Sequence, residues 1–518
     1  MAGKVGLLPV RPPRAPRASD TGAVDELLIE GAAVLPAAGA DWLESAAVLV
    51  RDGRVAELGP ADELRRSHPD AERAGGSDRL VMPGLVNAHQ HAEGVSTAQL
   101  GFPDEPFEPW MVLMHSLPTV EPYLTTLYKS MLMLTSGVTT HVHSHFPAKG
   151  GYEGSDAYLD ELEHSLRAHR EAGLRTAFAP YWRDRATFAY DDDDRFATAL
   201  PGDLAGEVRR LAGAPISNAI YIEAITELAR RLDGDPLIGV QLSIAAPQWS
   251  SDDLLDAVGA AASDLGLQIH MHALESRRQR DWGDAAHGGR ELHHLAERGV
   301  LGQGTTIAHG VYLRDADIDL LAERRAMVAH NCSSNLRLAC GIAPVRRLVA
   351  RGVTVGLGSD DMAVDDDDDM LAEVRMAHVA QRIWDGPEPP LGARDVLRLA
   401  WEGGARIAGL EGSVGRLEPG YLADAVVLDL AAVRGVFASP RLPYEDLVVA
   451  RAGRGHVREV VVGGRVLVRD GTPVHVDMDA LAAEVAEAAR AVDAGRDPAR
   501  QAFPERLRPW ALRHPPAF

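Results

Sequence analysis

Apolar positions along the chain mark out a β-rich opening, a long alternating middle and a β-rich close. From about Glu26 to Gly59 short apolar runs, LLIEGAAVLP and AAVLVRDGRVAELGP, flank turns. The Asp52-Gly53 pair between two of them is a strong signal for a tight hairpin. The same texture returns as DAVVLDL and VREVVVGGRVLVRDG, with Gly463-Gly464 at the turn. Both flanks predict small antiparallel β-units. Between them, from about Leu80 to Leu410, short apolar runs alternate with segments of helical spacing. Strands are expected at LVMPGLVNAH, GVTTHVHSH, RTAFAPYW, LIGVQLSIAAP, LQIHMHALE, GTTIAHG, AMVAHNCSS and VTVGLGSD. Helical segments such as DAYLDELEHSLRAHREAG and NAIYIEAITELARRL separate most of them. Strands and helices in this alternation predict an α/β fold, a (β/α)8 TIM-like barrel. A doubly wound open sheet is the competitor, but no GxGxxG follows a strand.

The pattern divides the chain into a disordered N-terminal lead (1–22), a composite β-sandwich (23–80 with 411–475), a catalytic barrel (81–410) and a helical tail (476–518). The tail opens on the amphipathic run LAAEVAEAARAVDAG. The lead is rich in proline and arginine and lacks the apolar core of a signal peptide.

Composition narrows the class. The chain has 518 residues, 46% hydrophobic and 25% charged, as expected of a soluble globular protein. Its net charge of -22 argues against nucleic acid or an anionic membrane as partner. Only Cys332 and Cys340 occur, so no disulfide framework is expected and a reducing cytoplasm fits. No run is long and apolar enough to span a membrane.

The chemistry gathers at the predicted strand ends, where barrel enzymes work. Val81–His91 reads VMPGLVNAHQH and ends in two histidines one residue apart. On extended chain these point to one side, so both imidazoles can meet a single metal ion. Strand 2 carries His141, His143 and His145; strand 5 carries His270 and His272, followed by Glu275. Strand 6 ends at His309, strand 7 at His330 and Asn331, and strand 8 at Asp360. Nine of the 20 histidines fall at these ends. The strand 2 set has a period of two, which puts its members on one face, either packed or lining the pocket. The functional reading of that set is substrate recognition.

VMPGLVNAHQH, HMHALE, TTIAHG, VAHNCSSNLRLACGIAPV and VGLGSDD, in this order, resemble the amidohydrolase superfamily. The nearest branch is that of the S-adenosylhomocysteine and guanine deaminases and the triazine hydrolases. The resemblance runs from about residue 25 to 470. It implies a barrel with a small β-sandwich built from both chain ends. It also implies one divalent metal, zinc before iron, held by His89, His91, His272 and Asp360. Asp360 would help deprotonate a water, Glu275 would pass protons to the substrate, and His309 would act beside the metal. Binuclear relatives bridge their metals with a lysine at strand 4; the lysines here are Lys4, Lys129 and Lys149, so one metal is expected. Substrate contacts are expected from Trp110 and His115 in the insertion after strand 1, from His143, from Trp182 at strand 3 and from Asn331.

These readings converge on a metal-dependent hydrolase of a carbon–nitrogen bond, foremost a deaminase of a nitrogen-rich heterocycle. Hydrolysis of an amide or a ring C–Cl bond is the alternative, and a catalytically silent binding barrel is a third. The partners expected are a small-molecule substrate and further copies of the chain.

Overall fold

A computed structural model describes residues 26–513, except 93, 103, 115–119, 147–151, 186–189, 191, 213–216, 362–365, 367, 384–385 and 496–497. The expected lead (1–22) lies outside the described residues.

The opening unit consists of β1 (Glu26–Val34), β2 (Leu43–Arg51) and β3 (Arg54–Pro60), followed by β4 (Glu72–Pro83). β1, β2 and β3 pair antiparallel, while β4 joins β1 in parallel. The barrel strands are β5 (Leu85–Gln90), β6 (Val138–His145), β7 (Arg175–Trp182), β8 (Ile238–Val240), β9 (Leu242–Ile244), β10 (Ile269–Ala273), β11 (Thr305–His309), β12 (Met327–His330) and β13 (Thr354–Leu357). β14 (Ala425–Asp429), β15 (Val457–Val462), β16 (Arg465–Arg469) and β17 (Thr472–Pro473) close the chain's β-structure. The small sheet runs β17-β16-β15-β14-β4-β1-β2-β3 and so combines both chain ends. It curls on itself: Arg54 bridges to Leu422, and a Cβ at Gly53 would lie 2.8 Å from the carbonyl oxygen of Gly463. Leu27, Ile29, Val48, Val81, Val427 and Val461 fill the interior of that curl. Asp52-Gly53 and Gly463-Gly464 all have positive φ, the backbone that mirror-image hairpin turns require.

The second sheet is the barrel, with β8 and β9 as two halves of its fourth strand. The run 81–90, read as one strand, in fact serves two sheets. Val81–Pro83 pairs with β14 in the small sheet, and Leu85–Gln90 pairs with β6 in the barrel. The switch falls at Gly84, where a Cβ would sit 2.1 Å from Thr139 Oγ1. The barrel seam between β13 and β5 is joined by the Asp360 N–H, which donates to the His89 carbonyl at 3.0 Å. Gly356 and Gly358 permit this approach, since a Cβ on either would come within 2.8 Å of Ala88 or His89. Below the strands, Ala405 and Ile407 pack with Val86, Met327 and Ala329 as a floor.

Two tail helices follow, Met478–Ala494 and Pro498–Arg513. Phe503 and Leu507 of the second pack on Val112, Phe196, Leu200 and Leu204. The tail therefore covers the helix Phe107–Met114 in the insertion after β5. Among the described residues no helix is long and apolar enough to cross a membrane.

Candidate active site

The C-terminal ends of β5, β10, β11 and β13 converge on one small volume. Where each strand leaves the barrel the chain turns sharply. Ala92, Leu274, His309 and Asp360 all have positive φ, between 55° and 74°, although none is glycine. Such backbone costs roughly 1–3 kcal/mol per residue and persists where the surroundings hold it. A register shift between Asn87 and Gln90 against β6 lets both His89 and His91 reach the interior.

Each imidazole has its Nδ1 engaged. His91 Nδ1 donates to the Ser144 carbonyl at 2.6 Å, and His272 Nδ1 to the Ala245 carbonyl at 2.8 Å. His309 Nδ1 donates to Asn335 Oδ1 at 2.8 Å. His89 Nδ1 meets His270 Nε2 at 2.8 Å. The oxygen acceptors at Nδ1 of His91, His272 and His309 place a hydrogen there and, in each neutral ring, turn the Nε2 lone pair inward. Among the described residues the buried His89 Nε2 has no hydrogen-bond partner. His91 Nε2 lies 3.2 Å from His272 Nε2 and 3.3 Å from Asp360 Oδ1, and His89 Nε2 lies 3.6 Å from the same oxygen. Ligands about 2.1 Å from one ion, at tetrahedral angles, sit about 3.4 Å apart. His89, His91 and His272, and likewise His89, His309 and Asp360, offer atoms within 4.8 Å of one another. The donor set and its spacing fit one divalent metal.

The two carboxylates beside this cluster are shifted in opposite directions. Burial alone would raise Asp360, but the imidazoles of His89, His91 and His309 around it hold it well below the usual carboxylate range. Glu275 is pushed well above that range by burial, then by the charges of Asp360 and Glu108. His309 stands between them, its Nδ1 3.6 Å from Glu275 Oε1 and its Nε2 3.8 Å from Asp360 Oδ2. Burial lowers His89 to about 4 and holds His272 well below the ordinary imidazole value. At His91 burial is outweighed by Asp361 and Asp360, which lift it to about 9. The two carboxylates are thus shifted in opposite directions across one cavity.

Above the cluster stands an apolar wall of Phe107, Trp110, Tyr181, Trp249, Leu338 and Cys340. Tyr181 meets His91 and His272 edge-on at 6.1 Å and 6.0 Å, and Cys340 Sγ lies 3.9 Å from Glu275 Oε1. Trp110, expected as a substrate contact, is in this wall. His115 lies outside the described residues. Trp182 is not brought to the cavity: it stacks on Tyr221 and meets Tyr158 at a tilt, both on the surrounding helices, and its neighbour Tyr181 takes the inward position. His143 is likewise turned outward, against His169 of the helix Ser155–Ala172. Asn331 is fully buried beneath the ring of His309, at 3.4 Å. Support residues absent from the sequence reading are Ser334, whose hydroxyl donates to Asp360 Oδ2 at 2.7 Å, and Asn335. Their only signal was their place just after the strand 7 run.

A barrel with this inward cluster of histidines and one aspartate defines a class of barrel hydrolase. The chain belongs to the amidohydrolase family, whose model matches residues 80–467. Residues 46–71 also match the bacterial imidazolonepropionase-like composite domain. A 5-methylthioadenosine/S-adenosylhomocysteine deaminase of Desulforudis audaxviator is 32% identical, over 90% of this chain and 98% of that protein. A 5'-deoxyadenosine deaminase of Methanothermobacter thermautotrophicus is 33% identical, with the same coverage of 90% and 98%. Among solved structures, an adenosine deaminase from Xanthomonas campestris with bound zinc superposes with a TM-score of 0.76. It is 25% identical and covers 90% of this chain and 98% of its own.

Proposed function

We propose that the chain is a metal-dependent aminohydrolase that releases ammonia from a nitrogen-rich heterocycle, with the adenine ring of a 5'-modified nucleoside as the foremost candidate. The observation that carries this reading is the convergence of His89, His91, His272, His309 and Asp360 on one small volume with the buried Glu275 beside His309. Similarity to deaminases of adenosine-derived compounds supports the ring class.

In this reading His89, His91, His272 and Asp360 hold one divalent ion, zinc before iron. Such an ion, when bound, lowers the pKa of a water toward ~7 and polarises the electrophilic carbon. Asp360 accepts a proton from the attacking water. Glu275, already protonated, donates to the ring nitrogen next to the carbon under attack, so the ring does not carry full negative charge. An O–C bond forms at that carbon. Asp360 then passes its proton to the amino group, the ionised Glu275 takes the remaining hydroxyl proton, the C–N bond breaks, and ammonia leaves as the carbonyl forms. His309, within 4 Å of both carboxylates, holds the water and the proton path in line. Trp110, with Tyr181 and Trp249, supplies a flat apolar wall for a planar ring.

Loss of chloride from a ring needs no proton donor, so the protonated Glu275 favours amine departure over C–Cl hydrolysis. The reading includes a cytoplasmic enzyme working as a homo-oligomer, in keeping with two free, buried cysteines. The test is metal analysis of the purified chain, with an ammonia-release screen over purine nucleosides, pterins, pyrimidines, triazines and guanidino compounds. About one equivalent of zinc or iron and turnover of a purine nucleoside are expected. A folded protein that takes up no metal would sink the enzyme reading in favour of a silent barrel, and metal uptake with no ammonia from any compound would sink the deaminase.

A further inference from the structure

The three histidines of β6 are not in the cavity, yet they are fully buried or nearly so, and one of them reaches the metal cluster from behind. Ser130 Oγ lies 3.3 Å from His169 Nδ1, His169 Nε2 lies 2.8 Å from His143 Nδ1, and His143 Nε2 lies 2.9 Å from the carbonyl oxygen of His91. The carbonyl can only accept, so His143 Nε2 carries a hydrogen. No carboxylate belongs to this string, and buried rings without one stay neutral. His143 Nδ1 is then an acceptor, His169 Nε2 a donor, His169 Nδ1 an acceptor, and the Ser130 hydroxyl the first donor. Every hydrogen in the string therefore has one direction, and all point toward His91.

The placement matters because the chain departs from the sheet just there. His91 follows the last residue of β5, and Ala92 after it has φ of 61°. Its carbonyl has left the regular ladder, and His143 supplies the donor it needs. The backbone carbonyl of the next residue of β6, Ser144, accepts from His91 Nδ1 at 2.6 Å. Consecutive residues of one strand thus grip His91 twice, one through its backbone and one through its ring. A flanking pair, Gln90 donating to His141 Nδ1 and His141 Nε2 to Thr176 Oγ1 at 2.8 Å, pins the preceding residue of the bulge.

We propose that His143, oriented by His169 and Ser130, is a positioning residue that sets the direction of the His91 imidazole through its carbonyl and thereby the affinity and geometry of the metal site. The proposal rests on the reading of His91 as a metal ligand. It explains why the outward face of a barrel strand carries histidines where an apolar residue would pack as well.

The test uses the full-length protein with His143→Phe, which keeps the ring volume but removes both nitrogens, and His143→Gln, which returns a donor near the Nε2 position. Zinc affinity is read by chelator competition and ligand geometry by the absorption spectrum of the cobalt(II)-substituted protein. The Phe variant is expected to bind zinc about 10- to 100-fold more weakly with a shifted cobalt spectrum. The Gln variant is expected within about 3-fold of wild type. A Phe variant with wild-type zinc affinity and an unchanged cobalt spectrum overturns the proposal, even if its melting temperature drops, because that outcome is packing alone. Should the Phe variant not fold, His169→Phe removes the donor to His143 Nδ1 while sparing His143, and unchanged zinc affinity there also overturns it. Side-chain 15N spectra of the metal-free wild type read the string without any metal. His143 and His169 protonated at Nε2 support it; the opposite tautomer at either ring defeats it. A wild-type chain that shows these tautomers but binds no metal refutes the metal reading instead.

Discussion

Ser334 Oγ donates to Asp360 Oδ2 across 2.7 Å, tying the segment after β12 to the aspartate that follows β13. The other oxygen, Oδ1, faces His89 and His91. Each carboxylate oxygen therefore has its own task. With Ser334→Ala the aspartate keeps its histidine partners but loses a charge-assisted bond of about 1.5–3 kcal/mol. A fall in kcat of about 10- to 100-fold is expected with metal content retained. Steady-state ammonia release beside metal analysis checks it, and an unchanged kcat would show that Oδ2 takes no part in orienting the base.

Glu275 is buried, its carboxyl pushed well above the ordinary range, and within reach of His309, but stands apart from the group of His89, His91 and His272. Glu275→Gln keeps the shape and removes the transferable proton. Metal stoichiometry should hold while turnover drops about 10²- to 10⁴-fold. A variant that deaminates at near wild-type rate would remove Glu275 from the proton path.

Glu291 offers a pH test away from the cavity. It is 4% exposed, and burial lifts its carboxyl to about 8, although Arg280 partly opposes this. In the unfolded chain it titrates near the ordinary 4.5. The fold therefore binds a proton that the unfolded chain releases as pH rises between these values. Its contribution to stability is complete below about 4.5 and is lost as pH climbs through about 8, a change on the order of a few kcal/mol. Glu291→Gln should melt close to wild type at pH 5 and above it at pH 9, as thermal scans at both values will show. An equal difference at both values would rule out Glu291 as the titrating group.

Phe503 of the tail is fully buried against Val112 of the helix Phe107–Met114 and against Phe196 and Leu204, which follow β7. Phe503→Ala leaves a cavity costing roughly 3–5 kcal/mol locally. Because the helix Phe107–Met114 also carries Trp110, the expected result is a higher KM with a smaller change in kcat. Kinetics over a substrate series measure the split. If kcat collapses with KM constant, the tail acts on the chemistry and not on the wall.

Much of the barrel was legible because its signals are local. Apolar runs at barrel spacing, and histidines or carboxylates where the runs stop, do not depend on distant contacts. The runs RTAFAPYW and GVTTHVHSH correspond to β7 and almost wholly to β6. The phase of those strands was another matter. Tyr181 and Trp182 are neighbours, and alternation allows only one to face the cavity. Which one does is set by register against β6 and β9, and a slip of one residue exchanges the faces. The same phase turns His143 outward.

The sequence by itself determined the residue types of the site, their order along the chain and the strand ends that carry them, because a strand and its exit are written in a few adjacent residues. Only the tertiary structure decided that Gly84 divides one apolar run between two sheets, and that a bulge beside Gln90 aims two histidines inward. It alone placed Ser334, Asn335 and His270 behind the inward groups and moved the pKa of Asp360 and of Glu275 in opposite directions. Those outcomes depend on close approach, burial and partners far apart in the chain, which no local pattern encodes.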